Sequence, residues 1–157
     1  MSWEDILKNI REEAREYLLG WIAECMVAVE RVNRDGRKEL TDSIERIENE
    51  IANTIENVKN TLPNMPEEAI ASLVRSLTTP YRNMIKETKE WMKKIDNLNK
   101  NALDKLDEIK DLVKENDIGI AISSAINTEW GKLPGLPELD KRKLEGYLQR
   151  LSFEGME

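Results

Sequence analysis

Apolar residues recur along this chain at intervals of three and four, the spacing that places side chains on one face of an α-helix. In the first 32 residues the intervals are 4, 3, 4, 4, 3, 4, 4 and 3, an eleven-residue repeat close to the pitch of a straight helix. Ser2 followed by Asp5 is typical of a helix N-terminal cap. The pattern predicts a long first helix, whose inward residues are Trp3, Leu7, Ile10, Ala14, Leu18, Trp21, Cys25, Val29 and Val32.

A second apolar stripe with the same spacing runs from Leu40 to Leu62. Between the two stripes, residues 33–36 read Asn-Arg-Asp-Gly, which is typical of a turn with Gly36 in a left-handed conformation. We therefore predict a helical hairpin of residues 3–33 and 37–62. Without that turn, residues 3–62 would form a single helix.

Prolines punctuate the next part of the chain. Pro63 and Pro66 predict the end of the hairpin, because a residue before proline disfavours the helical conformation. A short helix over 66–78 follows. Pro80 suits either the first turn of a new helix, over 80–115, or a kink in a continuing one.

The last forty residues differ in pattern from the rest. Residues 117–127 are compatible with a strand or with a short helix, and the lack of a second strand to pair with favours the helix. A loop over 130–137 precedes a last helix that opens at Pro137. Its inward residues are Leu144, Tyr147, Leu148 and Leu151.

Together these segments predict an all-α fold. We expect an elongated bundle of long antiparallel helices with eleven- and seven-residue periods, closed by a small C-terminal helical cap. Residues 1–116 would form the bundle and 117–157 the cap packed on it, within one domain. A chain of 157 residues has the length of a single domain.

The composition excludes most familiar active sites. The chain has no histidine and a single cysteine, Cys25, so it has no Ser-His-Asp triad, imidazole metal ligand or disulfide framework. No phosphate-binding or dinucleotide-binding glycine motif occurs. We expect no enzymatic activity, no catalytic residue, no cofactor and no metal. The lone cysteine and the lack of a signal-peptide pattern favour a cytoplasmic location.

The apolar run from Tyr17 to Val29 is too short to cross a membrane and contains Glu24. Glu24 is expected to pair with a Lys or Arg inside the core. The run is apolar on more than one side, which predicts self-association. Its expected contacts are Leu19, Ile22, Met26 and Val27. The competing interpretation is that the C-terminal segment covers this surface within one chain, through Ile118, Ile122 and Ile126.

Charge is the other informative surface property. The net charge is −7, but residues 63–116 carry 10 basic and 10 acidic side chains. Four of these cations, spaced 4, 3 and 4, share one helix face and are called here the basic ridge: Arg82, Lys86, Lys89 and Lys93. Arg75 and Lys94 lie nearby in sequence. The favoured interpretation of such a ridge is a solvated face partly neutralised by Glu87 and Glu90; the alternative is contact with phosphates of nucleic acid or anionic lipid.

The expected function is therefore non-enzymatic. We predict an interaction or scaffolding protein that acts through helical self-association, as coiled coils do, with an unidentified protein partner. The alternatives are an accessory nucleic-acid-binding protein that uses the basic ridge, and a peripheral membrane-surface protein. Trp3, Trp21 and Trp91 are expected in the core, and Trp130 either there or as a partner anchor. The absence of longer motifs favours a narrowly distributed protein, such as one encoded by a virus or plasmid.

Overall fold

Four α-helices make up nearly all of the computed structural model, which describes residues 2–130 and 135–152. Their bounds are α1 Trp3–Thr61, α2 Glu67–Lys114, α3 Ile118–Asn127 and α4 Lys141–Ser152. No strand occurs in these two ranges. The predicted all-α class is confirmed for this part of the chain.

Helix α1 continues through the predicted turn, so the hairpin of 3–33 and 37–62 is wrong and the single-helix alternative holds. Gly36 lies inside α1 and does not have a left-handed backbone conformation. One glycine in a helix costs only about 1 kcal/mol relative to alanine. The flanking apolar residues Val29, Val32, Leu40 and Ile44 are buried or half-buried, and their packing offsets that cost.

Replacing Gly36 with alanine is expected to raise the free energy of unfolding by about 0.5–1 kcal/mol, because alanine is the better helix former and its Cβ meets no atom within 4 Å. Chemical denaturation measures the change. Gly135→Ala is the contrasting variant, since Gly135 has a φ of +83° and alanine there is strained. A loss of stability in Gly36→Ala would instead indicate that Gly36 adopts the left-handed conformation of the predicted turn.

Helix α2 also continues where a break was predicted, since Pro80 lies inside it. Separate helices over 66–78 and 80–115 are therefore wrong. Proline removes one backbone donor from a helix. In the preceding turn, the hydroxyls of Thr78 and Thr79 donate to the carbonyls of Val74 and Arg75, at 2.7 and 2.6 Å.

The end of α2 has a well-defined cap. Asn116 adopts a left-handed conformation with φ of 64°. The amides of Asn116 and Asp117 donate to the carbonyls of Val113 and Leu112, the two bonds of a Schellman motif. The Asn116 side chain also accepts a hydrogen bond from Arg15 of α1 at 2.9 Å. This cap directs the chain from α2 into α3.

Two compact units make up the chain, and α1 and α2 contribute to both. The first unit consists of Met1–Val32 and Leu98–Glu157, and the second of Asn33–Asn97. The division thus falls within the long helices, away from the predicted boundary at 116/117.

The first unit contains the main hydrophobic core. From Leu7 to Val29 every predicted inward residue of α1 is buried. The end of α2, α3 and α4 supply the rest of this core, whose largest fully buried members include Leu18, Ile22, Leu106, Ile109, Ile122 and Leu144. Residues 117–152, so far as they are described, therefore pack on the ends of α1 and α2 that belong to this unit.

The C-terminal elements follow the sequence pattern closely. The helix preferred over a strand in 117–127 is confirmed as α3, which packs against α4. Helix α4 begins at Lys141, so its predicted start at Pro137 is wrong. The Asp140 carboxylate accepts a hydrogen bond from the Lys143 amide at 3.1 Å, which makes Asp140 the N-cap. Residues 131–134 of the predicted loop lie outside the described residues.

The second unit is much less buried. Among its residues only Val58 and Thr78 are buried, and the apolar positions of its two helix segments are mostly half-buried. Arg37 of α1 and Asp96 of α2 form an ion pair at 3.5 Å. A unit of this kind keeps a large part of its side-chain surface accessible to partners.

Candidate interaction surfaces

The residues predicted to mediate self-association near the N-terminus do not form one exposed surface. Ile22 is 1% exposed and belongs to the core of the first unit, and Leu19 and Met26 are half-buried against that core. Val27 alone is exposed, at 56%. Ile22 is therefore not accessible to a second copy in this fold. Association through Leu19, Met26 and Val27 stays a prediction.

The apolar run of α1 is covered within the chain, as the competing interpretation expected. Ile118 and Ile122 of α3 are buried in the same core cluster as Ile22, and Ile126 packs against it. Two polar contacts fix this arrangement. The Trp21 indole donates to the Pro137 carbonyl at 3.1 Å, and the Tyr17 hydroxyl accepts from the Asp140 amide at 2.9 Å.

Trp130 is part of this cover. Its ring packs edge-on against Trp21, with centroids 5.2 Å apart, and its indole donates to the Ala125 carbonyl at 3.0 Å. The cleft beside the two rings has a volume of about 1020 Å³. Both indole N–H groups already have backbone partners, and the charged residues of its wall are exposed. We therefore assign no ligand to it.

Glu24 and Cys25 are neighbours in sequence but differ in environment. Glu24 is exposed, so the predicted ion pair inside the core is wrong: its position on α1 points away from the buried stripe. Cys25 is fully buried, and burial, with a smaller contribution from the charge of Glu24, raises the pKa of its thiol to about 12. Because the thiolate is the reactive form, the buried Cys25 thiol is expected to be unreactive in the folded protein.

The basic ridge is exposed along its whole length on α2, within the second unit. In the described parts of the chain none of its four side chains forms an ion pair. Arg75 is also exposed on the same flank of the helix, whereas Lys94 lies over the ring of Trp91, 5.4 Å from its centroid. Lys94 therefore belongs to a different face from the ridge.

A second surface of α2 was not predicted. Leu77, Met84 and Trp91 follow one another at intervals of seven and are 44%, 49% and 61% exposed; we call them the α2 stripe. Trp91, like the 46%-exposed Trp3, was wrongly expected in the core. The signal was available in the sequence, because α2 carries more apolar residues than one helix face holds.

The α2 stripe and the basic ridge lie on opposite flanks of the same helix. At 3.6 residues per turn, the mean directions of the two sets differ by about 170° around the helix axis. The half-buried face that includes Ile85 and Met92 lies between them. A partner bound to one flank would leave the other accessible.

Other kinds of site have no support in the described residues. No group of three or more Cys, Asp or Glu side chains in these ranges is placed to hold a metal ion. Within residues 2–130 and 135–152, no helix has an uninterrupted apolar stretch of the length needed to span a bilayer. Comparison with known proteins finds no matching family model, no similar curated protein and no similar solved structure.

Proposed function

We propose that this protein is an interaction protein that self-associates through α2, with the α2 stripe of one copy packed against that of a second. The observation that carries the proposal is the exposure of Leu77, Met84 and Trp91 at seven-residue intervals. Seven residues is the spacing at which one helix repeatedly meets another in a coiled coil. The proposal keeps the predicted self-association but places its contact surface on α2 instead of α1.

The size of the stripe supports a protein contact. The exposed parts of its three side chains amount to roughly 300 Å² of mostly apolar surface, comparable with the largest apolar patch on a typical monomer. A stable interface buries about 800 Å² per partner, with an apolar centre and a polar rim. The stripe has the extent expected of such a centre, and large aromatic and flexible side chains are common there.

A second copy suits the stripe because, within the second unit, its three residues are spaced symmetrically about Met84; Leu98, exposed at the next interval of seven, belongs to the first unit. If two α2 helices pair antiparallel on a two-fold axis through that residue, Met84 meets Met84 and Leu77 meets Trp91. The largest side chain then lies opposite a smaller one, which favours close packing. Two-fold dimers are the commonest assemblies of soluble proteins, and they use the same patch on both partners.

Light scattering coupled to size exclusion tests the proposal. We expect a mass twice that of the 18.2-kDa chain at concentrations of about 50 μM. A dimer that dissociates on dilution fits equally, because a three-residue apolar centre supports micromolar affinity. A mass of one chain at every concentration up to about 500 μM would refute self-association.

A further inference from the structure

We propose that the basic ridge binds the phosphate backbone of nucleic acid without reading base sequence. Arg82, Lys86, Lys89 and Lys93 form a row about 16 Å long on α2. All four are exposed, and none forms an ion pair with another described residue. A row of cations on a rigid helix matches the regular negative charge of a phosphate backbone. This inference does not depend on self-association.

The neighbouring carboxylates leave the ridge positive. Asp96, three residues after Lys93, is engaged with Arg37 of α1 at 3.5 Å. Glu87 and Glu90 are exposed, and neither forms an ion pair with the ridge among the described residues. The solvated face neutralised by Glu87 and Glu90, the other sequence interpretation, therefore lacks the expected contacts.

The surroundings of the ridge favour nucleic acid over a lipid surface. A helix bound in the plane of a membrane surface buries its apolar face at the boundary of headgroups and acyl chains. Cations on the opposite flank then face away from the lipid. On α2 the exposed apolar side chains, Met84 and Trp91 among them, lie on the flank opposite the ridge. The ridge flank also lacks an exposed aromatic ring on which a base would stack, so its contacts are confined to the backbone.

The net charge of −7 sets the strength of this binding. The rest of the chain repels a polyanion, and salt screens the repulsion and the attraction alike. Binding through four cations releases about four counterions from duplex DNA, so log K should fall with log salt concentration with a slope of about −3.6. We expect binding that is measurable at low salt and lost near physiological salt.

Fluorescence anisotropy with a labelled duplex of about 20 base pairs, from about 20 to 150 mM salt, measures both affinity and slope. Changing the four ridge residues to glutamine should weaken binding at least 30-fold and flatten the slope. The matched control changes four other exposed cations of the second unit to glutamine: Arg34, Lys38, Arg46 and Lys59. Its net charge changes equally, and we expect its affinity to stay within about threefold.

Three outcomes would overturn the inference: unchanged binding in the ridge variant, equal loss in ridge and control variants, or binding to phosphatidylserine vesicles without binding to DNA. Competition by an acidic polypeptide alone, with no binding of DNA, would assign the ridge to a protein partner and overturn it as well. The Met84→Glu variant separates this inference from self-association. It lies on the opposite flank, so its slope per bound chain should stay the same even if it is monomeric.

Discussion

Replacing Ile22 with glutamate is expected to unfold the first unit. Ile22 is 1% exposed and is packed in the core formed by α1, α3 and α4 together with the end of α2. Glutamate there leaves a carboxylate without water or a partner, which costs more than about 4 kcal/mol. The free energy of unfolding of most domains is only about 5–15 kcal/mol. Loss of the helical circular dichroism signal, or a melting point lower by more than about 10 °C, measures the effect.

Val27→Glu is the matched control, because it makes a similar change five residues later on the same helix at a side chain that is 56% exposed. Its unfolding free energy should stay within about 0.5 kcal/mol of that of the unchanged chain. If Ile22→Glu instead stays folded and only loses self-association, the first unit does not cover this surface and the original prediction for α1 is right.

Replacing Met84 with glutamate is expected to abolish self-association while the fold is kept. In the proposed dimer the two Met84 side chains meet on the two-fold axis, so the variant places two carboxylates face to face and removes the apolar centre. Association should weaken at least 100-fold, equivalent to about 2.7 kcal/mol. Glutamate is as good a helix former as methionine and Met84 is 49% exposed, so the monomer should melt normally.

The control for this variant is Lys86→Gln, which changes the net charge by the same amount on the opposite flank of α2. Lys86 is exposed and outside the α2 stripe, so its dimer should dissociate at the same concentration as that of the unchanged chain. Equal dissociation in both variants would mean that net charge controls association. Dimers that persist in Met84→Glu would place the contact elsewhere.

The sequence predicted the core of the first unit well because burial there follows helical periodicity. The stripe from Leu7 to Val29 is buried without exception, and Ile118 and Ile122 cover the apolar run of α1, as the competing interpretation of that run expected. Periodicity is informative when a helix is surrounded by partners, since each inward position then has a neighbour to pack against.

The predicted breaks in the helices were wrong for a common reason. Gly36 and Pro80 each disfavour a helix locally, by about 1 and 3 kcal/mol. Local preference determines the backbone conformation only when the flanking segments gain no stability from remaining helical. In α1 and α2 the apolar stripes continue on both sides of these residues, and packing outweighs the local cost.

The candidate surfaces were predicted unevenly. The basic ridge follows from spacing alone, because charged side chains on one helix face stay in solvent. The exposure of the α2 stripe was not predicted from spacing, because every apolar residue that fitted a helical interval was assigned to the core. Trp91 shows the limit of that rule: spacing identifies a face, but only the number of neighbours available decides whether the face is buried.

Disulfide cross-linking of the Met84→Cys variant shows whether two copies meet at Met84. The native Cys25 is buried with a thiol pKa of about 12, so it contributes no background in the folded chain. Two thiols on a two-fold axis lie within disulfide distance of each other. Mild oxidation should therefore give a covalent dimer in Met84→Cys and almost none in Lys86→Cys, on the opposite flank of α2. Equal cross-linking in the two variants, or none in Met84→Cys at concentrations where the chain associates, would show that the two copies do not meet at Met84.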